Sequence, residues 1–173
     1  MNPTKHYFIE TQKQLKEYLT HYVPLVKIVA KSFNIDLSKK RFMCDHVGLQ
    51  AISKENFDDC DFHIQKYANL TKDGRIHNRR NRLYVLYKPI VIDDIKIVSI
   101  ETFEPKPNAD MSKLRLGIEH IAFVVSNYEE FYQECLNKNI PIEKRVDFGD
   151  KTSFFKTKFI NGVEIEFRTE ALN

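Results

Sequence analysis

The sequence has no pair of cysteines spaced to hold a metal, and it has no apolar run long enough to span a membrane. Cys44, Cys60 and Cys135 are odd in number and far apart, without a C-x-x-C pair. This pattern excludes a disulfide scaffold or a zinc ribbon and predicts reduced thiols in a cytoplasmic protein. No stretch approaches the roughly 18 apolar residues of a spanning helix, and the start of the chain has no apolar segment typical of secretion.

The sequence also has little net charge. The formal net charge of the 173 residues is only +3, and the charged residues are spread along the chain. A dedicated nucleic-acid binder usually concentrates more positive charge than this. We therefore expect a monomer or homodimer that binds a small-molecule substrate and neither nucleic acid nor a membrane.

The sequence does contain a large apolar fraction, with a helical pattern at its start. Hydrophobic residues make up 42% of the chain, which is enough to build a core. Near the start they recur at steps of three or four, at Leu15, Leu19, Tyr22, Val26 and Val29. This spacing predicts a helix over residues 11–33, within an N-terminal helical extension of residues 1–40. Pro24 is expected to kink or divide the helix, because proline cannot donate to the preceding turn.

Beyond residue 40 the apolar period changes to two, and one order of elements occurs twice. A strand, a helix and three strands are predicted over residues 41–107 and again over residues 115–173. The predicted strands cover residues 42–52, 75–79, 82–91 and 95–103, then 118–125, 143–148, 153–159 and 163–168, with helices at 55–70 and 128–139. Turns are predicted at residues 71–74, at Asp93-Asp94 and at Asn161-Gly162. The expected fold class is α+β, with paired βαβββ modules forming a cup-shaped mixed sheet behind the N-terminal extension.

Two short motifs repeat with the modules, and each contains a histidine. They are Asp45-His46-Val47-Gly48-Leu49 and Glu119-His120-Ile121-Ala122-Phe123. A later strand of each module ends on a glutamate, Glu101 in the first and Glu166 in the second. A duplicated His…Glu unit can bring two nitrogen and two oxygen ligands to one metal ion.

Strand alternation places these groups together on one face of the sheet. Side chains two residues apart share a face, so His46 lies with Gly48 and Gln50 and opposite the large apolar residues that would pack on helices. The same holds around the second histidine and both glutamates. The prediction is a divalent-metal site on a polar face, the cup, with the candidate ligands His46, Glu101, His120 and Glu166.

Other polar residues of these strands have alternative interpretations. A lone strand histidine is usually a hydrogen-bonded structural residue, but two at equivalent positions of a repeat favour a metal site. Glu164 shares the face of Glu166 and is the alternative fourth ligand. Strict alternation places Asp45 and Glu119 on the opposite face, in salt bridges, while Gln50 is a candidate substrate contact.

Residues 74–82 form the one basic cluster of the sequence. The simpler interpretation is a solvated hairpin. The alternative is an anion clamp at the mouth of the cup, in which Arg75, His77 and Arg79 share a strand face and hold a substrate carboxylate or phosphate. Arg168 is a further candidate substrate contact, unless it neutralises a glutamate of its own strand.

The order of these elements resembles the vicinal oxygen chelate superfamily (glyoxalase, bleomycin resistance and dihydroxybiphenyl dioxygenase), and within it the YecM-like family. The similar features are the helical extension, Cys44-Asp45-His46-Val47-Gly48-Leu49, Asp73-Gly74-Arg75, Ser99-Ile100-Glu101 before a proline-rich segment, and Gly117-Ile118-Glu119-His120-Ile121. The resemblance covers nearly the whole chain. It implies a divalent metal, Zn, Ni, Mn or Fe, held by His46, Glu101 and His120, and from the wider superfamily by Glu166.

The resemblance also implies a kind of chemistry. Members of the superfamily bind substrates through two adjacent oxygens that chelate the metal, and here Glu166 or Glu101 would move a proton as the catalytic group. The expected function is that of an isomerase or lyase acting on a small oxygen-rich metabolite. Two alternatives stay open: an Fe²⁺ extradiol-type dioxygenase with a facial triad of two histidines and one glutamate, and a non-enzymatic ligand-binding protein of the resistance type.

Overall fold

The chain folds as one helix followed by two βαβββ units, in the order that the sequence predicts. The computed structural model describes residues 10–76, 78–105, 117–148 and 152–172. The elements are α1 (Gln12–Ser32), β1 (Phe42–Gln50), α2 (Lys54–Ile64), β2 (Ala68–Ile76), β3 (Arg79–Ile92), β4 (Ile95–Phe103), β5 (Gly117–Val125), α3 (Tyr128–Asn137), β6 (Val146–Asp147), β7 (Ser153–Lys156) and β8 (Ile165–Arg168). The predicted boundary at residues 107–115 lies outside the described residues, as does His77.

All eight strands of the described ranges join one open, curled sheet in the order β2-β3-β4-β1-β5-β8-β7-β6. The first strand of each unit pairs in parallel with the last, β1 with β4 and β5 with β8, and β1 and β5 pair antiparallel at the centre. The two units are therefore related by an approximate twofold about the β1–β5 pair. This arrangement confirms the α+β fold class and the paired modules.

One face of the sheet is apolar and packs on the helices. Val47, Ile100, Ile121 and Ile165 have no exposed surface and share a single core with the helices. Each fully buried aliphatic side chain contributes about 1.5–3 kcal/mol relative to an exposed one. The other face is thereby left for polar groups.

Helix α1 begins and ends within one residue of the predicted bounds. The Thr11 side chain caps it by accepting from the Gln14 amide, and the Gln14 side chain accepts from the Thr11 amide in return. The helix is continuous through Pro24, so proline does not divide the segment, and a kink there stays a prediction. Pro24 and Thr20 both lie on the exposed side of the helix, where water can replace the donor that the Thr20 carbonyl loses.

Two predictions of local structure in the first unit are wrong. The helix predicted over residues 55–70 ends at Ile64, because β2 begins at Ala68 and takes the last residues of the predicted range. Residues 71–74 are not a turn but the interior of β2, where Asp73 pairs with Arg82 of β3 both in register and through a salt bridge of 3.1 Å. Cross-strand charge pairing therefore outweighs the turn propensity of Asp-Gly. The hairpins at Asp93-Asp94 and Asn161-Gly162 are confirmed, the second with positive φ at both residues. Within the described ranges no helix is long and apolar enough to cross a membrane.

Candidate metal centre

A β-bulge precedes the histidine in each of the two central strands. The β1–β5 pairing shifts register around Asp45 in β1 and around Glu119 in β5. A bulge offsets the alternation of side chains by one residue. The expectation that these two acids lie on the opposite face is therefore wrong: Asp45 contacts the ring of His46, and Glu119 lies 4.0 Å from the guanidinium of Arg79.

Two buried imidazole rings meet at the centre of the cup. His46 and His120 are 0% and 1% exposed, and their Nε2 atoms are 3.1 Å apart. The rings are nearly perpendicular, with an angle of 84° between their planes. Both Nε2 atoms are therefore directed at the same small volume.

Gly48 leaves the space that the His120 ring occupies. The two residues are register partners across β1 and β5. A Cβ atom on Gly48 would lie 2.3 Å from Cε1 and 2.8 Å from Nε2 of His120, well inside van der Waals contact. A side chain at this position would displace the imidazole.

Glu101 approaches both histidines from β4. Its Oε2 atom is 3.2 Å from Nε2 of His46 and 3.6 Å from Nε2 of His120, while Oε1 accepts a hydrogen bond of 2.8 Å from the Asn81 amide. Burial raises the pKa of Glu101, but the hydrogen bonds with His120 and His46 outweigh burial and hold it well below its ordinary value. Glu101 is therefore ionised and oriented by Asn81.

Glu166 lies on the other side of His120, between two cations. Its Oε2 atom is 4.0 Å from Nε2 of His120 and 3.3 Å from Nζ of Lys156, and its Oε1 atom accepts from the Arg168 guanidinium. Burial raises the pKa of Glu166, but the charges of His120, Lys156 and Arg168 lower it below the ordinary value. Lys156 also donates to Glu164 at 3.0 Å. Arg168 thus neutralises Glu166, which is the second of its two predicted roles.

Asp45 contacts His46 at Nδ1, the ring nitrogen that does not face His120. Nδ1 of His46 donates to Oδ2 of Asp45 at 2.9 Å, and the main-chain amide of Leu172 donates to the same oxygen at 3.1 Å. Burial lowers the pKa of His46, but the hydrogen bonds to Asp45 and Glu101 raise it to about 9. In the absence of a metal, His46 therefore carries a proton on each nitrogen, and the Nε2 proton is the one that a metal ion would replace.

These donors fit a divalent metal ion. Ligand atoms of His46, His120 and Glu166 all lie within 4.8 Å of one another. Oε2 of Glu101 adds a fourth donor close to both imidazoles. Two imidazole nitrogens with carboxylate oxygens suit Zn²⁺, Fe²⁺, Mn²⁺ or Ni²⁺. The ligand set itself stays a prediction.

Gln50 lies at the end of β1, beside a buried arginine. Its side-chain oxygen accepts from Arg79 at 3.0 Å, and the Arg79 guanidinium lies 4.3 Å from the centre of the Phe103 ring. The centre of the Phe103 ring is in turn 5.8 Å from that of the His120 ring. Gln50 is thus near the histidines, and its role as a substrate contact stays a prediction. The structure does not bring Arg75 to this group: it is exposed and donates to the carbonyl of Asn78 at 3.2 Å.

Two residues of the cup were missed by the sequence-based reasoning. Asn81 reaches Glu101 from β3, and Lys156 reaches Glu164 and Glu166 from β7. A signal existed for Asn81, because strand alternation from Arg79 places it on the cup face. Lys156 had no comparable signal, since its position depends on the register of β7 against β8.

Solved proteins of low sequence identity share this fold. The structural-genomics protein EC4020 matches with a TM-score of 0.75 and 12% identity, over 99% of this chain and 96% of that chain. Methylmalonyl-CoA epimerase from Mycobacterium tuberculosis matches with a TM-score of 0.54 and 16% identity, over 73% of this chain and 86% of that one. A further methylmalonyl-CoA epimerase matches with a TM-score of 0.55 and 12% identity, over 75% and 97% of the two chains. No curated protein matches the chain.

The paired units and the duplicated His–Glu face define the class: this is a protein with the fold of the vicinal oxygen chelate superfamily. Within that class, the family model described as YecM protein matches residues 11–169. The chain belongs to the YecM family. The resemblance drawn from the sequence motifs is thereby confirmed.

Proposed function

We propose that the protein is a metal-dependent enzyme of the isomerase or lyase type, acting on a small oxygen-rich metabolite. The observation that carries the proposal is the convergence of two buried imidazole Nε2 atoms, 3.1 Å apart, with an ionised carboxylate from each unit. Two histidines that bind one metal ion must direct a nitrogen atom each at a common point, as these two do. The proposed ligands are His46, Glu101, His120 and Glu166, and the proposed metal is Zn, Ni, Mn or Fe.

The contacts of the candidate ligands support a fixed donor set. Asp45 holds the His46 ring through Nδ1 and so directs Nε2 into the cup. Asn81 fixes one oxygen of Glu101 and leaves the other for the centre. A metal held here would act as a Lewis acid toward a substrate bound through two adjacent oxygens.

Glu166 is the proposed proton-transfer group. It reaches the centre beside His120, and Lys156 stands 3.3 Å from its Oε2 atom. A carboxylate at this place can take a proton from a substrate carbon, and the adjacent ammonium keeps that carboxylate ionised until it does.

Two other functions have specific support. His46, His120 and Glu166 together form a set of two histidines and one carboxylate, which is the ligand set of Fe²⁺ oxygenases. The ion pairs of Glu166 with Arg168 and Lys156 favour instead a ligand-binding protein without a metal, because they compensate the buried charge of that carboxylate.

Metal content of the purified protein tests the proposal. The wild type, prepared without a chelating tag, is expected to contain about one divalent metal ion per chain by elemental analysis, and His46→Ala/His120→Ala is expected to contain none. His21→Ala/His63→Ala removes the same number of histidines outside the cup and is expected to retain the metal. A metal-free wild type after reconstitution would refute the enzyme proposal.

Two activity measurements separate the candidate functions. An isomerase or lyase would exchange a carbon-bound proton of 2-hydroxy or 2-oxo acids with deuterium from solvent, and Glu166→Gln would abolish the exchange. A dioxygenase would consume oxygen with a catechol as substrate. Oxygen uptake without proton exchange would therefore favour the second function over the first.

A further inference from the structure

Arg79 is a buried arginine whose hydrogen-bonding capacity is only partly used. It is 8% exposed, and of its nitrogen atoms NH1 donates to Gln50. Its Nε atom has no hydrogen-bond partner among the described residues, and its NH2 atom lies 4.0 Å from Oε2 of Glu119, beyond hydrogen-bonding distance. That Glu119 oxygen also lacks a hydrogen-bond partner there. Glu119 compensates the charge of Arg79 without satisfying its Nε donor, and a buried donor without a partner is costly.

The neighbouring arginine of the same strand differs in this respect. Arg80 lies on the helix side of β3, 2.8 Å from Asp58, with its guanidinium over the ring of Phe57. Arg79 is likewise stacked on a phenylalanine, Phe103, but faces the cup. Strand alternation thus places Arg80 under α2 and Arg79 on the cup face, near the candidate metal centre.

The position of Arg79 relative to the histidines sets the length of a ligand. Gln50, which accepts a hydrogen bond from Arg79, is two residues along β1 from Gly48, the register partner of His120. Two residues of a strand span about 7 Å. The Phe103 ring lies near both the guanidinium and the His120 ring, and it provides an apolar wall for such a ligand. A molecule of four or five carbons would reach from one to the other.

We infer that Arg79, oriented by Gln50 and Phe103, binds a carboxylate of the substrate, so that the substrate is a dicarboxylate with two chelating oxygens at its other end. This inference rests on the proposed metal-dependent function. A guanidinium edge with an unpartnered Nε atom, and an NH2 group beyond hydrogen-bonding distance of Glu119, matches a planar carboxylate. The same molecule would then meet the metal with a 2-hydroxy or 2-oxo acid group.

Binding of matched probes to the metal-loaded protein tests the inference. The probes are 2-hydroxyglutarate, which has both features, and 2-hydroxybutyrate, which keeps the chelating end but lacks the second carboxylate. We expect the wild type to bind 2-hydroxyglutarate at least about tenfold more tightly by calorimetry, the usual effect of one charge-assisted hydrogen bond. Arg79→Met should remove this preference and leave 2-hydroxybutyrate affinity and metal content unchanged.

Arg80→Met is the matched control. It removes an arginine of the same strand that is also stacked on a phenylalanine, and it should keep the preference of the wild type. Arg79→Lys keeps the charge but lacks the planar guanidinium, so it should weaken the preference for 2-hydroxyglutarate. This variant provides the test if Arg79→Met does not fold.

The possible results separate the two proposals. A wild type that binds metal but shows the same ratio of affinities as Arg79→Met, or as Arg79→Lys, would overturn this inference alone. Tighter binding of 3-phosphoglycerate than of 2-hydroxyglutarate would overturn the assignment to a carboxylate. A wild type that binds no metal would overturn the proposed function, and this inference with it.

Discussion

At the scale of single residues, the candidate centre depends on a position without a side chain. Gly48→Ala would place a methyl group 2.3 Å from the nearest His120 ring atom, so the imidazole must move away from His46. We expect a loss of metal affinity of about tenfold or more, since a displacement of this size removes a ligand. Competition with a fluorescent chelator would measure it.

Gly74→Ala is the control for this substitution. Gly74 also lies in a strand, but no heavy atom lies within 4 Å of the place that its Cβ would occupy. The metal affinity of the Gly74→Ala variant should equal that of the wild type. Equal affinities for Gly48→Ala and Gly74→Ala would contradict the placement of His120 among the ligands.

Asp45 contacts His46 on the cup face, although strict strand alternation predicts that it lies on the opposite face. Its carboxylate accepts from Nδ1 of His46, and such contacts behind a ligand usually change metal affinity by about 10–100-fold. Asp45→Asn should therefore weaken metal binding by that amount while keeping the fold, because the amide oxygen can still accept from Leu172. Asp59→Asn, an exposed acid of α2, is the control that should bind as the wild type does. Unchanged binding by Asp45→Asn would indicate that His46 does not need the negative charge of Asp45.

At the scale of elements, the register of β7 against β8 decides which cation meets Glu166. The hairpin closes with Ile160 opposite Val163, so a regular continuation would place Thr157 opposite Glu166. The structure instead places Lys156 there. A shift of one residue exchanges the two faces of a strand, and here it carries an ammonium group into the cup.

Lys156 is expected to oppose metal binding. Lys156→Met should raise metal affinity by about tenfold. In this variant Glu166 would not have to give up its ammonium partner to bind the metal, and the repulsion between that ammonium group and the metal ion would be lost. In the metal-free state the same substitution should lower the thermal midpoint, since Glu164 and Glu166 lose a buried partner. Lys158→Met, an exposed lysine two residues away, should change neither quantity. A fall in metal affinity would mean that Lys156 orients Glu166 toward the metal.

The elements also show why part of the site was predictable. Apolar alternation gave the strands of His46, His120, Glu101 and Glu166, because a half-buried strand must keep its large side chains on one side. Bulges and register shifts leave no comparable trace in a single sequence, since they depend on which strands pair. Asp45 was therefore misplaced and Lys156 missed. Whether Pro24 divides its helix was unpredictable for a different reason: the cost of proline depends on whether water reaches Thr20, which the fold decides.

At the scale of the whole molecule, the candidate ligands come equally from both units. His46 and Glu101 lie on β1 and β4, and His120 and Glu166 lie on β5 and β8. A metal bound to all of them would link the units across the central pair and would bind the folded chain only. Binding of this kind stabilises the native state by mass action, by about 4 kcal/mol when the free metal is at a thousand times its dissociation constant.

Removal of the metal should therefore be visible as a loss of stability of the entire protein. For a chain of this size, about 4 kcal/mol corresponds to a change in thermal midpoint of about 10 °C. A strong chelator should lower the midpoint of the wild type by an amount of this order, in a single transition because one core joins the sheet and helices. His46→Ala/His120→Ala should unfold at the same temperature with and without chelator, whereas His21→Ala/His63→Ala should respond as the wild type does. An equal response in both double variants would place the metal outside the cup, and two separate transitions in the wild type would show that the units do not share one cooperative core.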